Sequence, residues 1–391
     1  MNDIDFQHRT RLVFGENAIE RLGELAKDIA QQRVLLVSDE GVVEAGHFQR
    51  GVESLQSAGL EVTAFHGVRE NPSTDEVASG LSVARACKPE LIVGLGGGSS
   101  MDCAKGINFL YSCGGKMEDY WGVGKATSDM LPMIAVPTTA GTGSEAQSFA
   151  LISQAETHVK MACGDPRAAC RVAILDPVLT LTQPPLVTAL TGIDAVSHAL
   201  ESYVTKKRNP LSVCYSRRSW TLLSSGLPRV LKEPDSLEAR GEMQLGAYFA
   251  GLAIETSMLG AAHALANPLT ARYGVTHGQA VGMMLPEVIA FNGEVYGQWY
   301  EELWRDVRHD KLAKEFDSAN PAISLSRYVR ELVRMAGLET ELHEVGVKEQ
   351  SLEQLAEDAT AQWTGTFNPR KMTQEDFRRL YANTYQQAKA G

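Results

Sequence analysis

The 391-residue chain contains no run of about 18 apolar residues, so no segment has the length and composition of a membrane-spanning helix. Its first residues, MNDIDFQHRTRLVFG, lack the basic and hydrophobic regions of a secretory signal, and a cytoplasmic location is expected. Positive charge is also in short supply. Lys and Arg number 37 against 48 Asp and Glu, a formal net charge of −11, so the surface should repel nucleic acid and anionic membranes. The six cysteines, Cys87, Cys103, Cys113, Cys163, Cys170 and Cys214, form no CxxC pair, and reduced thiols are expected. Internal repeats, low-complexity tracts and Pro/Ser-rich linkers are absent too, which predicts closely packed domains.

What remains is an ordinary globular composition, 44% hydrophobic and 22% charged, in a chain long enough for two domains. The first half alternates helix-like and strand-like segments. Ala18 to Gln31 is amphipathic and leads to RVLLVS at Arg33 to Ser38. Phe48 to Ala58 precedes EVTAFH at Glu61 to His66. Asp75 to Ala86 precedes LIVGL at Leu91 to Leu95, and Met133 to Pro137 and Val172 to Leu175 are further apolar runs. Such alternation predicts a parallel sheet covered by helices on both faces.

After about Pro184 the texture changes to long stretches of helical periodicity. PPLVTALTGIDAVSHALESYV is followed by segments at Glu238 to Leu265, Gly278 to Asn292, Ser324 to Met335, Ser351 to Gln362 and Thr373 to Gln387. The expectation is an α/β domain over residues 1–183 and an all-helical domain over 184–391.

Strand LIVGL runs straight into GGGSSMDCAKGINFL. Gly96, Gly97 and Gly98 allow close approach to a bulky anion, Ser99 and Ser100 offer hydroxyls, and a helix beginning near Met101 points free N–H groups at the same place. Pyrophosphate fits such a turn; a bare strand-to-helix connection fits it as well. No GK[ST] follows, which excludes a Walker loop, and the glycines follow a later strand than in the usual dinucleotide fingerprint. The first strand ends in Ser38-Asp39-Glu40-Gly41. Asp39 is placed either to bind a ribose diol and repel a 2′-phosphate, favouring NAD over NADP, or simply to cap a helix. The loop PTTAGTGSE, Pro137 to Glu145, is rich in hydroxyls and could line a cofactor at the same sheet edge.

In the second half, Asp194 and His198 stand four apart on one helical face, and His263 and His277 follow in LGAAHALANPLTARYGVTHG. One carboxylate and three neutral imidazoles suit a single divalent metal, leaving net charge near +1 and room for a substrate oxygen. Helical histidines are also common as satisfied core or surface residues, and spacing alone does not separate the two.

Taken together, VFGENAIERLGE, GGGSSMD, PTTAGTGSE, AILDPVLTLTQPP, TALTGIDAVSHALESYV, THGQAVGMMLP and FNPRKMTQEDF resemble, in order and nearly end to end, the iron-dependent (group III) alcohol dehydrogenase family. The resemblance implies the dehydroquinate synthase-like fold, with a nucleotide-binding α/β domain, an all-α domain and an active site in the cleft between them. It implies metal ligation by Asp194, His198, His263 and His277, with Fe(II) favoured and Zn(II) possible. NAD contacts carry over to Asp39, Asn71, Gly97, Gly98, Ser99, Asp102, Thr138, Thr139 and Lys160, and Asp102 could equally be a capping residue. Phe149, Ile254 and Trp363 fall near substrate-pocket positions.

The implied reaction is hydride transfer between NAD(H) and a small primary alcohol or aldehyde by a homodimer or larger homo-oligomer. One position departs. The family often carries a second histidine one turn after the ligand, where this chain has Asn267; an amide cannot relay a proton but can orient a substrate hydroxyl or water. Two other enzyme readings are a zinc-dependent polyol dehydrogenase of the glycerol type and a dehydroquinate synthase-like lyase, whose signatures are not evident. A metal-empty nucleotide-binding protein is the reading from a different class. The remaining histidines, His8, His47, His66, His158, His309 and His343, lie outside the signatures and read as solvated or structural.

Overall fold

The computed structural model describes residues 7–157 and 159–385, so His158 and the segment around Gln387 lie outside the described residues. The chain divides into two compact units that adjoin in sequence at Gln183 and Pro184.

The N-terminal unit contains nine strands: β1 (Arg11–Phe14), β2 (Arg33–Asp39), β3 (Glu61–Val68), β4 (Leu91–Gly96), β5 (Gly122–Val123), β6 (Met133–Pro137), β7 (Phe149–Ser153), β8 (Lys160–Gly164) and β9 (Val172–Leu175). Between them run α1 (Leu22–Lys27), α2 (Glu40–Glu44), α3 (His47–Ser57), α4 (Thr74–Cys87) and α5 (Gly98–Cys113). Six strands form one sheet in the order β1-β9-β6-β4-β2-β3, every neighbouring pair parallel. Both faces of the inner strands β9, β6, β4 and β2 are covered, which is why these read as continuous apolar runs, whereas the edge strands β1 and β3 are largely exposed. Along β2, Leu35 and Val37 enter one core and Val34 and Leu36 the other.

The strand order fixes where a ligand can sit. From β2 the chain goes outward to β3, then returns past β2 to β4 and on to β6. The direction reverses between β2 and β4, and at such a switch point the loops beyond the strand ends diverge and leave a crevice. Asp39 ends β2 and Gly96 ends β4, so the two segments singled out in the sequence meet at that place.

A second sheet of three strands, β5-β8-β7, was not anticipated. Strands β7 and β8 pair antiparallel, from Phe149↔Gly164 to Ser153↔Lys160. They are five residues each, too short for their pattern to be told from loop. Helix α5 also starts at Gly98 rather than near Met101, because Gly97, in extended conformation, already serves as its N-cap.

The second unit is built from α6 (Pro185–Val204), α7 (Pro210–Lys232), α8 (Leu237–Ser257), α9 (Ala261–Tyr273), α10 (His277–Val307), α11 (Pro321–Met335), α12 (Leu352–Thr360) and α13 (Gln374–Tyr385), joined by loops and short 3-10 turns. Helix α7 escaped the sequence reading because its buried face is rich in serines. Ser216 donates to the Ser212 carbonyl one turn back and Ser219 to the Gly246 carbonyl, so these hydroxyls sit in a core without an apolar stripe to betray them. The stretch Glu238 to Leu265, expected as one segment, is broken. Met258 takes a left-handed φ of 70°, and α9 leaves α8 at 104°. Helix α10 runs past Asn292 to Val307, with a non-helical residue at Tyr296. Among the described residues no single helix is long and apolar enough to cross a membrane.

Close backbone approach sets one stability test. A Cβ at Gly23 in α1 would lie 2.0 Å from the Ser54 carbonyl oxygen of α3. Gly23→Ala is expected to lower the unfolding free energy by ~1–3 kcal/mol in chemical denaturation, as overpacking does. An unchanged midpoint would show that α1 shifts freely against α3.

Candidate metal and nucleotide sites

At the switch point, Asp39 does two things. Its Oδ1 accepts the Val42 N–H at 3.1 Å, capping α2, and its Oδ2 accepts the Ser100 hydroxyl at 2.7 Å. The capping role left open by the sequence is therefore real, and each oxygen keeps a lone pair for a further donor. Ser100 is buried and committed to Asp39, which corrects its expected role as a phosphate donor. The glycines also divide their work. A Cβ at Gly98 would lie 2.5 Å from Thr142 Cγ2, so that glycine admits a protein side chain. A Cβ at Gly97 would meet nothing closer than Thr139 Cγ2 at 3.5 Å, so Gly97 leaves its backbone approachable.

Around the start of α5 the other expected cofactor residues gather. The Asn71 N–H donates to Ser99 Oγ at 3.2 Å, and Lys160 Nζ donates to Asn71 Oδ1 at 3.0 Å. The Thr138 N–H donates to the Gly96 carbonyl at 2.9 Å, placing Thr138 and Thr139 beside the glycine turn. Asp102 is no cap: it lies beyond the first turn of α5, buried, and accepts the Ser144 hydroxyl at 2.6 Å. Burial pushes its carboxyl up, opposed by the neighbouring Lys105.

Lys105 went unnoticed in the sequence. Its fully buried ammonium donates to Ser144 O and Oγ and to the carbonyls of Gln147 and Phe149, at 2.7–2.9 Å, tying the TTAGTGSE loop to α5. A lysine inside the mostly apolar stretch CAKGINFL was the available signal.

In the helical unit, Asp194 and His198 share one face of α6, His263 lies in the first turn of α9, and His277 opens α10. Three imidazole Nε2 atoms surround a single oxygen, Asp194 Oδ1: His198 at 3.4 Å, His263 at 3.7 Å and His277 at 3.7 Å. The ligand atoms of Asp194, His263 and His277 all lie within 4.8 Å of one another, and the His198 ring stacks on His263 with centroids 5.0 Å apart. Hydrogen bonds are ~2.7–3.0 Å long. Donors each ~2.1 Å from a shared tetrahedral cation stand ~3.4 Å apart, close to the spacing found. Asp194 Oδ1 and His263 Nε2 are buried without a hydrogen-bond partner, a costly state that a cation between them relieves. Asp194, His263 and His277 together fit a divalent metal, and His198, beside Asp194, is not part of that closest group.

A further buried carboxylate was missed. Glu201 is on the same α6 face, and its Oε2 lies 2.5 Å from His263 Nδ1. The net +1 counted from the four ligands therefore leaves out a second carboxylate that stands directly behind His263. Burial alone would raise the Asp194 pKa, but the three imidazoles outweigh it and hold the carboxyl well below its usual range. Burial alone would lower His263, yet Asp194 and Glu201 lift it to about 9.

Asn267, one turn after His263, donates from Nδ2 to Gln362 Oε1 at 2.9 Å. Ile254 is buried near the end of α8, and Trp363 packs edge-on against Phe367. Phe149 belongs to the other unit, where its ring covers Gly164. Outside the site, His47 pairs with Thr182 and His66 with Glu40.

Comparison with known proteins is consistent along the whole chain. The family model for iron-containing alcohol dehydrogenase matches residues 9–177, and that for the Fe-containing alcohol dehydrogenase family, C-terminal, matches 188–385. The NAD-dependent methanol dehydrogenase of Bacillus methanolicus is 32% identical over 375 residues, covering 95% of this chain and 97% of that protein. The 1,3-propanediol dehydrogenase of Klebsiella pneumoniae is 31% identical over 376 residues, covering 95% and 96%. A crystal structure of 1,3-propanediol oxidoreductase superposes with a TM-score of 0.93 at 30% identity, covering 98% of this chain and all of that one.

The lifted pKa of His263 has a consequence for cation binding. Below about pH 9 a proton occupies the imidazole in the metal-free protein and must leave before a cation binds. Affinity for Zn(II), measured by chelator competition, is expected to rise about tenfold per pH unit up to about pH 9. A flat profile between pH 7 and 9 would exclude the exchange.

Proposed function

The chain belongs to the iron-containing alcohol dehydrogenase family, and from that premise we propose that it is a metal-dependent oxidoreductase that moves a hydride between NAD(H) and a small primary alcohol or aldehyde. The observation that carries the reading is the convergence of three imidazoles on one buried, unpartnered carboxylate oxygen. Asp194, His198, His263 and His277 hold the cation. Fe(II) is favoured by the family, although the Irving–Williams order gives Zn(II) the higher affinity for these donors. When bound, such a cation supplies Lewis-acid stabilisation of negative charge on a substrate oxygen.

Oxidation of the alcohol would remove a hydride and a proton, NAD supplying the hydride acceptor when bound and the proton passing to solvent. The chain's part is placement. Gly97, Gly98 and Ser99, with the free N–H groups of α5, hold the pyrophosphate, and Asp39 takes the adenosine ribose. Asn71 and Lys160 hold each other in place beside Ser99. Thr138, Thr139 and Asp102 line the remaining cofactor surface. Asn267 bears no titrating proton, so it orients a hydroxyl or water, with its amide fixed by Gln362. Phe149 in one unit, and Ile254 and Trp363 in the other, are the candidates for apolar contact with substrate. Assembly as a homodimer finds support in β1, which lies at the sheet's edge.

The primary test is a panel of alcohols and aldehydes with NAD(H), run in parallel with Fe(II) and Zn(II). Small primary alcohols are expected to be turned over in preference to glycerol, and NADH binding without turnover on any substrate would overturn the proposal. His263→Ala should lose both the metal and activity by at least about a hundredfold. Full metal content with near wild-type turnover would contradict the ligand set. Asp39→Gly should lower the NAD-over-NADP ratio of kcat/KM by about tenfold, equivalent to ~1.4 kcal/mol. An unchanged ratio would remove Asp39 from cofactor selection.

A further inference from the structure

We propose that Glu201, which binds no cation itself, is the positioning residue of the metal site. It fixes the tautomer of His263 and anchors the helix that carries it; this rests on the ligand set proposed above. Glu201 lies on α6 seven residues after Asp194 and three after His198, so all three share one helical face. Its side chain is 3% exposed, and both carboxylate oxygens are in use. Oε1 accepts the Ala262 N–H at 2.6 Å, and Oε2 is 2.5 Å from His263 Nδ1.

The chemistry of these two contacts is directional. A carboxylate is an acceptor, so Nδ1 of His263 must carry a proton in that bond, and Nε2 is the nitrogen that gives up its proton to offer a cation its lone pair. Nε2 is the atom facing Asp194 Oδ1 and is otherwise without a partner. The second contact supplies a helix cap from another helix. The N-cap of α9 is Gly260, which has no side chain to cap with, and Glu201 takes the free N–H of Ala262 instead. Glycine is required for this. A Cβ at position 260 would stand 2.9 Å from Glu201 Oε1 and 3.3 Å from Asn368 Oδ1. After the sharp break between α8 and α9, nothing in local sequence sets the rotation of α9 about its axis. Glu201 sets it by tying the first turn of α9 to the helix that carries Asp194 and His198.

The test uses Co(II), whose visible spectrum reports ligand number and geometry. Wild-type protein, Glu201→Ala, Glu201→Gln and Gly260→Ala are titrated with Co(II) against a chelator, and folding is followed by circular dichroism and thermal melting. Glu201→Ala is expected to bind Co(II) about 10–100-fold more weakly and with an altered spectrum, the range found when a partner of a ligating histidine is removed. Glu201→Gln offers a single acceptor oxygen to two donors, Nδ1–H and the Ala262 N–H, and should bind Co(II) with an affinity between those of the wild type and Glu201→Ala. Gly260→Ala leaves the carboxylate in the protein but displaces it, and should reproduce the alanine phenotype.

Wild-type affinity and spectrum in folded Glu201→Ala overturn the proposal, whatever happens to the melting temperature. Should Glu201→Ala not fold, the same result in Gly260→Ala overturns it. Failure of the wild-type protein to bind Co(II) stoichiometrically overturns the ligand set itself.

Discussion

A buried carboxylate oxygen with no hydrogen-bond donor is expensive to maintain, and Asp194 Oδ1 is one, enclosed by three imidazole nitrogens at 3.4–3.7 Å. Those separations are too long for hydrogen bonds and suitable for donors gathered around one ion. The helical unit is organised to produce that cluster. Helix α6 brings a carboxylate and an imidazole on one face, the break at Met258 turns α9 so that His263 arrives from a second direction, and α10 begins with His277. A straight helix through 258–260 would carry His263 elsewhere.

The same economy of space governs both sites. Gly98 exists so that Thr142 can press against the start of α5, and Gly260 so that Glu201 can reach the start of α9. In each case glycine admits a protein side chain that then orders the residues next to it. The buried ammonium of Lys105 does comparable work by drawing the carbonyls of Ser144, Gln147 and Phe149, from the end of the hydroxyl-rich loop to the start of β7, onto α5. Polar groups buried to this degree and fully bonded rigidify what they touch.

Much of the architecture was legible. Strands covered on both faces must be apolar throughout, so the runs at β2, β4, β6 and β9 announced a parallel sheet, and periodicity announced most of the helices. The features that escaped lacked that signal: the short β7–β8 hairpin, the serine-rich face of α7 and the turn between α8 and α9. Ser100 and Asp39, 61 positions apart, bind each other, a pairing that no local spacing encodes.

By itself the sequence determined the features that local spacing dictates. Residues four apart on a helix lie side by side, so Asp194 and His198 were certain to be neighbours once α6 formed. Covered strands and a glycine-rich turn likewise need no distant partner to be read. Only the tertiary structure decided which distant residues meet. That His263 and His277 close on the same oxygen, that Glu201 stands behind His263, and that the chain reverses direction between β2 and β4 depend on how helices and strands pack. Packing contacts join residues tens of positions apart, and no periodicity along the chain encodes which of the many possible pairs will form.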